Sequence, residues 1–179
     1  MPSIIRAVAA LLTLALPLAS HAQTAKTPPS PCTNGEYQRL AFWIGDWTIL
    51  DTAGAFYARQ QVKPVVDGCA LEVEWTGRAG DKGIGVTVYD AKSKSWKQIY
   101  ASNQTPYASS VKYRSSDPSY NGPGVRFLPV LAPGEDSRTL TRITIMPLSD
   151  HTVLQRFEDS TDGGTTWHVQ FRAVHQPRK

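Results

Sequence analysis

Beyond the N-terminal segment the chain carries three histidines, His151, His168 and His175, and none of them forms with an Asp a pair at metal-ligand spacing. Serines are numerous, but no Gly-x-Ser-x-Gly elbow exists to expose one as a nucleophile. Barrel enzymes assemble their sites from distant strands, so catalysis stays as the minority alternative. The more informative residues are polar side chains set inside apolar alternation. Gln98 follows Trp96 by two positions, and Gln155 stands midway between Val153 and Phe157. If Trp96, Val153, Phe157, Val169 and Phe171 face inward on strands, Gln98 and Gln155 face inward with them. A buried amide needs a partner or a ligand. The expected chemistry is therefore recognition of a small, largely apolar molecule, with Trp75, Trp96, Phe157 and Phe171 as walls and Gln98 and Gln155 as polar selectors. The same parity puts Arg142, Glu72 and Glu74 on an outer face. His168 is out of phase and faces water, whereas His175 is in phase with the inward set.

The elements that must position these residues are strands. Leu71, Val73 and Trp75 alternate with Glu72, Glu74 and Thr76, and Ile84, Val86 and Val88 alternate with Gly85, Thr87 and Tyr89, which is the period of two of half-buried strands. Further runs are 44–50, 56–66, 96–102, 107–114, 125–130, 139–146, 152–158 and 166–174. Turn clusters such as Asp51-Thr52-Ala53-Gly54, Ala132-Pro133-Gly134 and Asp162-Gly163-Gly164 separate them. One helical stretch is expected from Asn34 to Phe42, with Asn34 as its cap. About ten short sequential strands with short connections favour an all-β, antiparallel up-and-down barrel over a sandwich, because closure removes the exposed edges. A barrel of eight or more strands has room for one small ligand.

The chain of 179 residues divides into a leader and one domain. Arg6, the apolar run 7–18 and the small-x-small Ser20-His21-Ala22 read as a secretory signal peptide over residues 1–22, its apolar run too short to span a bilayer. Residues 23–33 read as a tether and 34–179 as the barrel. The formal charge of +4 falls to +3 on loss of Arg6, which gives no basic footprint for nucleic acid and no membrane span. Export brings the chain into an oxidising compartment, where its two cysteines, Cys32 and Cys69, are expected to pair. That bridge would contribute on the order of 3 kcal/mol by closing the intervening loop.

The segment Phe42-Trp43-Ile44-Gly45-Asp46-Trp47 resembles the Gly-x-Trp motif of lipocalin-type, or calycin, barrels. That resemblance implies a Trp47 plugging one barrel end, Gly45 permitting a close approach of the stretch before it, and a basic side chain from the last strand over the indole, with Arg172 as first candidate and Arg178 as second. A larger set of pieces is similar to an uncharacterised family of exported bacterial calycin-like proteins of unknown function. These are Asp67-Gly68-Cys69-Ala70-Leu71-Glu72, Tyr89-Asp90 with Trp96-Lys97-Gln98, and the run from Arg142 to Ser160-Thr161-Asp162-Gly163-Gly164-Thr165-Thr166-Trp167. The implied setting is the periplasm of a Gram-negative bacterium. The last strand also resembles the nitrobindin-like relatives that hold haem through a histidine near the C-terminus, which makes His175 the alternative cofactor ligand. Ser160-x-Asp162-x-Gly164-x-Thr166-Trp167 is similar to the Asp-box of sialidases, but a single box without an arginine cluster reads as a hairpin in which Asp162 and Ser160 bind turn amides, Gly164 makes the turn and Trp167 packs.

Overall fold

The computed structural model describes residues 32–33, 35–103 and 111–178, with Val111 described by its backbone alone. The expected signal peptide, most of the tether, the expected cap Asn34 and residues 104–110 lie outside the described residues.

The expected helix forms instead as two short 3-10 turns, Gly35–Gln38 and Ala41–Trp43. The reason is a match of period: Leu40 and Trp43 are three apart, and a 3-10 turn with three residues per turn stacks both on one side, where both are fully buried. A stretch this short does not offset the cost of nucleating an α-helix. Gly35, at φ +58, breaks the line before it starts.

Ten strands follow: β1 (Gly45–Leu50), β2 (Phe56–Val65), β3 (Ala70–Gly77), β4 (Lys82–Asp90), β5 (Ser95–Ser102), β6 (Val111–Ser116), β7 (Val125–Pro129), β8 (Leu140–Pro147), β9 (Val153–Ser160) and β10 (His168–Pro177). Each pairs antiparallel with its neighbours in sequence, and β1 pairs with β10 through Trp47 opposite Pro177 to Leu50 opposite Val174, so the barrel closes without an edge. This is the up-and-down barrel expected from the alternation.

One end is packed shut. Leu40 and Trp43 from the 3-10 turns meet Trp47, Leu71, Trp96, Val125, Phe127, Ile145 and Val153 in a single buried cluster. The expected bond between Cys32 and Cys69 is present, with the sulfurs 2.06 Å apart, and ties the N-terminal arm to the start of β3. Outside, Lys63 reaches Glu72 at 2.7 Å and Glu74 at 3.8 Å, so the two acids lie on the outer face as their parity predicts.

Two strands depart from the simple alternation. In β4 it is Gly85 and Thr87 that turn inward, while Ile84, Val86 and Val88 face out. A Cβ at Gly83 would collide with the Tyr100 hydroxyl and with Trp75 Nε1, so the small residues of β4 are what leave those larger side chains room inside. In β10 a bulge between Val169 and Phe171 leaves Gln170 without a partner. Val169 then stands opposite Glu158 on the outer face, 45 % exposed, rather than inward with Phe171 as expected.

Candidate ligand-binding cavity

Above the packed end the barrel holds a cavity of about 720 Å³. Its floor is the Trp43 indole. Strand alternation carries side chains from β1 to β3, β5 to β6 and β8 to β10 into it, among them Ile49, Val73, Ile143 and Ala173. Five of the six expected ligand residues line it: Trp75, Gln98, Gln155, Phe157 and Phe171. Trp96 does not. Its indole sits lower, in the closed-end cluster against Tyr89 at 5.8 Å between ring centroids, because position 96 is one inward step nearer the packed end than Gln98. On one wall Phe171 touches both Tyr57 and Phe157, at 4.7 and 5.9 Å between centroids.

The polar groups fall into two kinds. Gln98 is engaged on both sides of its amide: its Nε2 donates to Thr87 Oγ1 at 3.2 Å, and its Oε1 accepts from Arg114 Nη1 at 3.2 Å. Gln60 and Trp43 are different. Both are buried, both line the cavity, and neither Gln60 Nε2 nor Trp43 Nε1 has a partner among the described residues. Both nitrogens are shielded from solvent and cavity alike, so each is an unsatisfied donor within the barrel wall. Burial pushes the Arg114 guanidinium down to about 10 and moves the Tyr100 hydroxyl up, each by disfavouring the charged form.

Sequence reasoning missed Gln60, Tyr100 and Arg114. For Gln60 the signal was present, since it shares parity with Ala58 and Val62 across β2. For Arg114 the usual signal points the wrong way. Tyr113 is the residue that hydrophobic patterning would turn inward, yet it is 55 % exposed, and Lys112 and Arg114 line the cavity along with it.

The end that carries Gly45 and Trp47 is built differently from the expectation. Arg172 stands opposite Arg156 on the outer face, so it does not cover Trp47. Its neighbours Ala173 and His175 turn inward, and the His175 ring meets the Trp47 indole at 6.2 Å between centroids. Trp47 Nε1 donates to the Trp43 carbonyl at 2.9 Å. Gly45, at φ +149, holds a backbone conformation that favours glycine; a Cβ there would stand 3.4 Å from the Trp47 ring, in ordinary contact, and would meet no atom of the preceding turn that closely. Arg178 comes near Trp47 from another side, lining a separate hollow of about 470 Å³ at the closed end and donating its backbone N–H to Asp46.

His175 is completely buried, and neither ring nitrogen has a partner among the described residues. It borders neither the large cavity nor the hollow. A haem needs an open face at its axial ligand, so the residues around His175 do not fit one.

The Ser160–Trp167 segment is a hairpin. Ser160 Oγ accepts from the Gly164 amide at 2.8 Å, Asp162 accepts from the Thr166 amide at 2.9 Å and from its hydroxyl at 2.7 Å, and Trp167 Nε1 donates to the Gly164 carbonyl at 2.9 Å. Those donors, the Thr166 amide foremost, hold the Asp162 carboxyl down at about 2. Arg142 stacks over the Trp167 ring at 4.3 Å and makes a two-pronged bond to Glu158, 3.0 Å on each arm, outside the barrel.

The chain matches no protein-family model and none of the curated proteins.

Proposed function

We propose that the barrel binds a small, largely apolar molecule in its cavity, and that the protein is an exported binding protein of the calycin-like kind rather than an enzyme. The observation that carries this reading is a cavity of about 720 Å³ lined by aromatic side chains together with the polar side chains of Gln98, Gln155 and Arg114. Ligand sites are typically hollows of about 300–1,000 Å³, mostly apolar, with a few convergent polar groups. Aromatic walls from Trp75, Phe157 and Phe171 supply dispersion and an apolar surface, and Gln98 and Gln155 supply orientation. Fold alone does not establish function, so the argument rests on the site. Export is supported by the leader-like residues 1–22 and by a disulfide that an oxidising compartment would preserve. No helix among the described residues is long and apolar enough to cross a membrane.

The test is titration of the purified protein with N-phenyl-1-naphthylamine, a neutral probe whose emission rises in apolar surroundings. The expected result is saturable enhancement with one probe per chain, weakened when Phe171 is replaced by Asp. Absence of saturable enhancement, together with native mass spectra free of any co-purified molecule, would overturn the reading.

A further inference from the structure

The cavity lining carries charges of both signs. Arg114 and Lys112 both line it from β6, and three carboxylates, Glu135, Asp136 and Asp159, line it elsewhere. Each of those acids is already engaged: Glu135 accepts from the Ala132 amide at 2.7 Å, Asp136 pairs with Arg138 at 3.2 Å, and Asp159 accepts from the Thr141 hydroxyl at 2.7 Å. No ion pair joins Arg114 to any carboxylate among the described residues. Its one bonded protein partner there is a neutral amide oxygen, on Gln98. A cation carried into a partly dry cavity without a counter-charge is costly. A guanidinium has five donors in a planar fork, and one bond to Gln98 leaves most of them unspent.

The surroundings suit an anion. Arg114 faces Gln98 across the β5–β6 ladder, and the Tyr100 hydroxyl from the same wall converges with Trp75 Nε1 over Gly83. These are donors grouped at one side of a cavity whose remaining walls include Ile49, Val73 and Ile143.

We propose that Arg114 is the counter-charge for the carboxylate of an amphipathic ligand, whose apolar body lies against Ile49, Val73, Ile143 and Phe157. This inference rests on the cavity being a ligand site. A carboxylate takes two parallel bonds from an arginine fork, which fixes the head while the body is held by area alone. The same chemistry is offered by straight-chain acids and by flat aromatic acids.

The experiment is competition against bound N-phenyl-1-naphthylamine with two matched pairs: decanoate and decanol, and 2-naphthoate and 2-naphthylmethanol. Wild-type protein is expected to bind at least one acid about tenfold to a hundredfold more tightly than its alcohol, the usual worth of a charged hydrogen-bonded contact. The acid that shows the advantage identifies the ligand body. In Arg114→Met the acid-to-alcohol ratio falls to about one, whatever the change in affinity for the neutral probe, and in Arg114→Lys the advantage returns in part. Equal binding of acid and alcohol by the wild type, or an acid advantage that survives in Arg114→Met, overturns the proposal while leaving the cavity as a binding site. Failure of the neutral probe itself to bind is the separate outcome that defeats the underlying reading. Should Arg114→Met not fold, the wild-type acid-to-alcohol ratios and the Arg114→Lys variant decide the question without it.

Discussion

The imidazole of His175 stands edge-on to the indole of Trp47, 6.2 Å between ring centroids and 68° between planes, in the sealed end of the barrel. No hydrogen-bond partner among the described residues reaches either of its nitrogens. A histidine so placed folds neutral, and burial pulls its pKa down to about 3.

That places a pH dependence on one residue. In the unfolded chain a histidine takes up its proton near pH 6.5, so between about pH 6.5 and 3 the unfolded state binds a proton that the native state refuses. Stability therefore falls as pH drops through this window, by up to about 1.4 kcal/mol per pH unit from this group alone. Urea unfolding at pH 7 and pH 5 compares wild type with His175→Leu. The variant should lose about 2 kcal/mol less over that interval. Equal losses in the two proteins would show that His175 is protonated, or reaches a partner, in the native state.

Outside the barrel, Glu158 holds Arg142 by two bonds of 3.0 Å and Arg156 at 3.2 Å. Burial would raise the Glu158 carboxyl, but the bond to Arg142 and the neighbouring guanidinium charges outweigh it and hold the pKa below its ordinary value. Glu158→Ala strands two partly covered cations and should cost about 2–4 kcal/mol. Arg142→Ala should cost less, since Arg156 keeps its contact. A double-mutant cycle in urea should return a coupling of about 1–2 kcal/mol. A coupling near zero would mean that Trp167, not Glu158, positions Arg142.

The hairpin before β10 depends on a backbone that only glycine accepts readily. Gly164 sits at φ +90, and a Cβ there would meet the Trp167 ring at 3.3 Å. Gly164→Ala should destabilise the protein by about 1–2 kcal/mol, read from the urea midpoint. Asp162→Ala should accelerate amide hydrogen exchange at Thr166, whose N–H loses its acceptor, and leave exchange in β3 and β4 unchanged. Exchange quickened equally throughout would contradict a hairpin-local role.

The bridge from Cys32 to Cys69 closes a loop of 37 residues. Reduction, or the double replacement by Ser, should lower stability by about 3–4 kcal/mol on the loop-entropy account. The denaturant midpoint with and without reductant measures it. No shift would mean that the unfolded arm is already confined without the bond.

Much of this was legible in the chain before any coordinates. Strand alternation located all ten strands to within a few residues, because a period of two is imposed by the pleat wherever one face is covered. Turn clusters separated the strands for an equally local reason, since Gly and Asp accept backbone angles that strands exclude. The hairpin at Asp162 could be read from spacing alone, as its bonds run between residues two to four apart. The disulfide was expected from there being two cysteines behind a leader-like N-terminal segment, without any geometry.

In several strands only the tertiary structure decided which face is inside. Alternation marks two faces but does not orient them, and a cavity wall accepts polar residues that a solid core would reject. So Ile84, Val86 and Val88 went out and Arg114 went to the cavity wall, while Tyr113 stayed 55 % exposed. The bulge at Gln170 moved Val169 outward and kept Phe171 inside, a shift set by pairing with β9 rather than by any residue of β10 alone. Trp47 met His175 instead of Arg172 for the same reason: partners across a closed barrel are chosen by register, which is a property of two strands and cannot be written in either one.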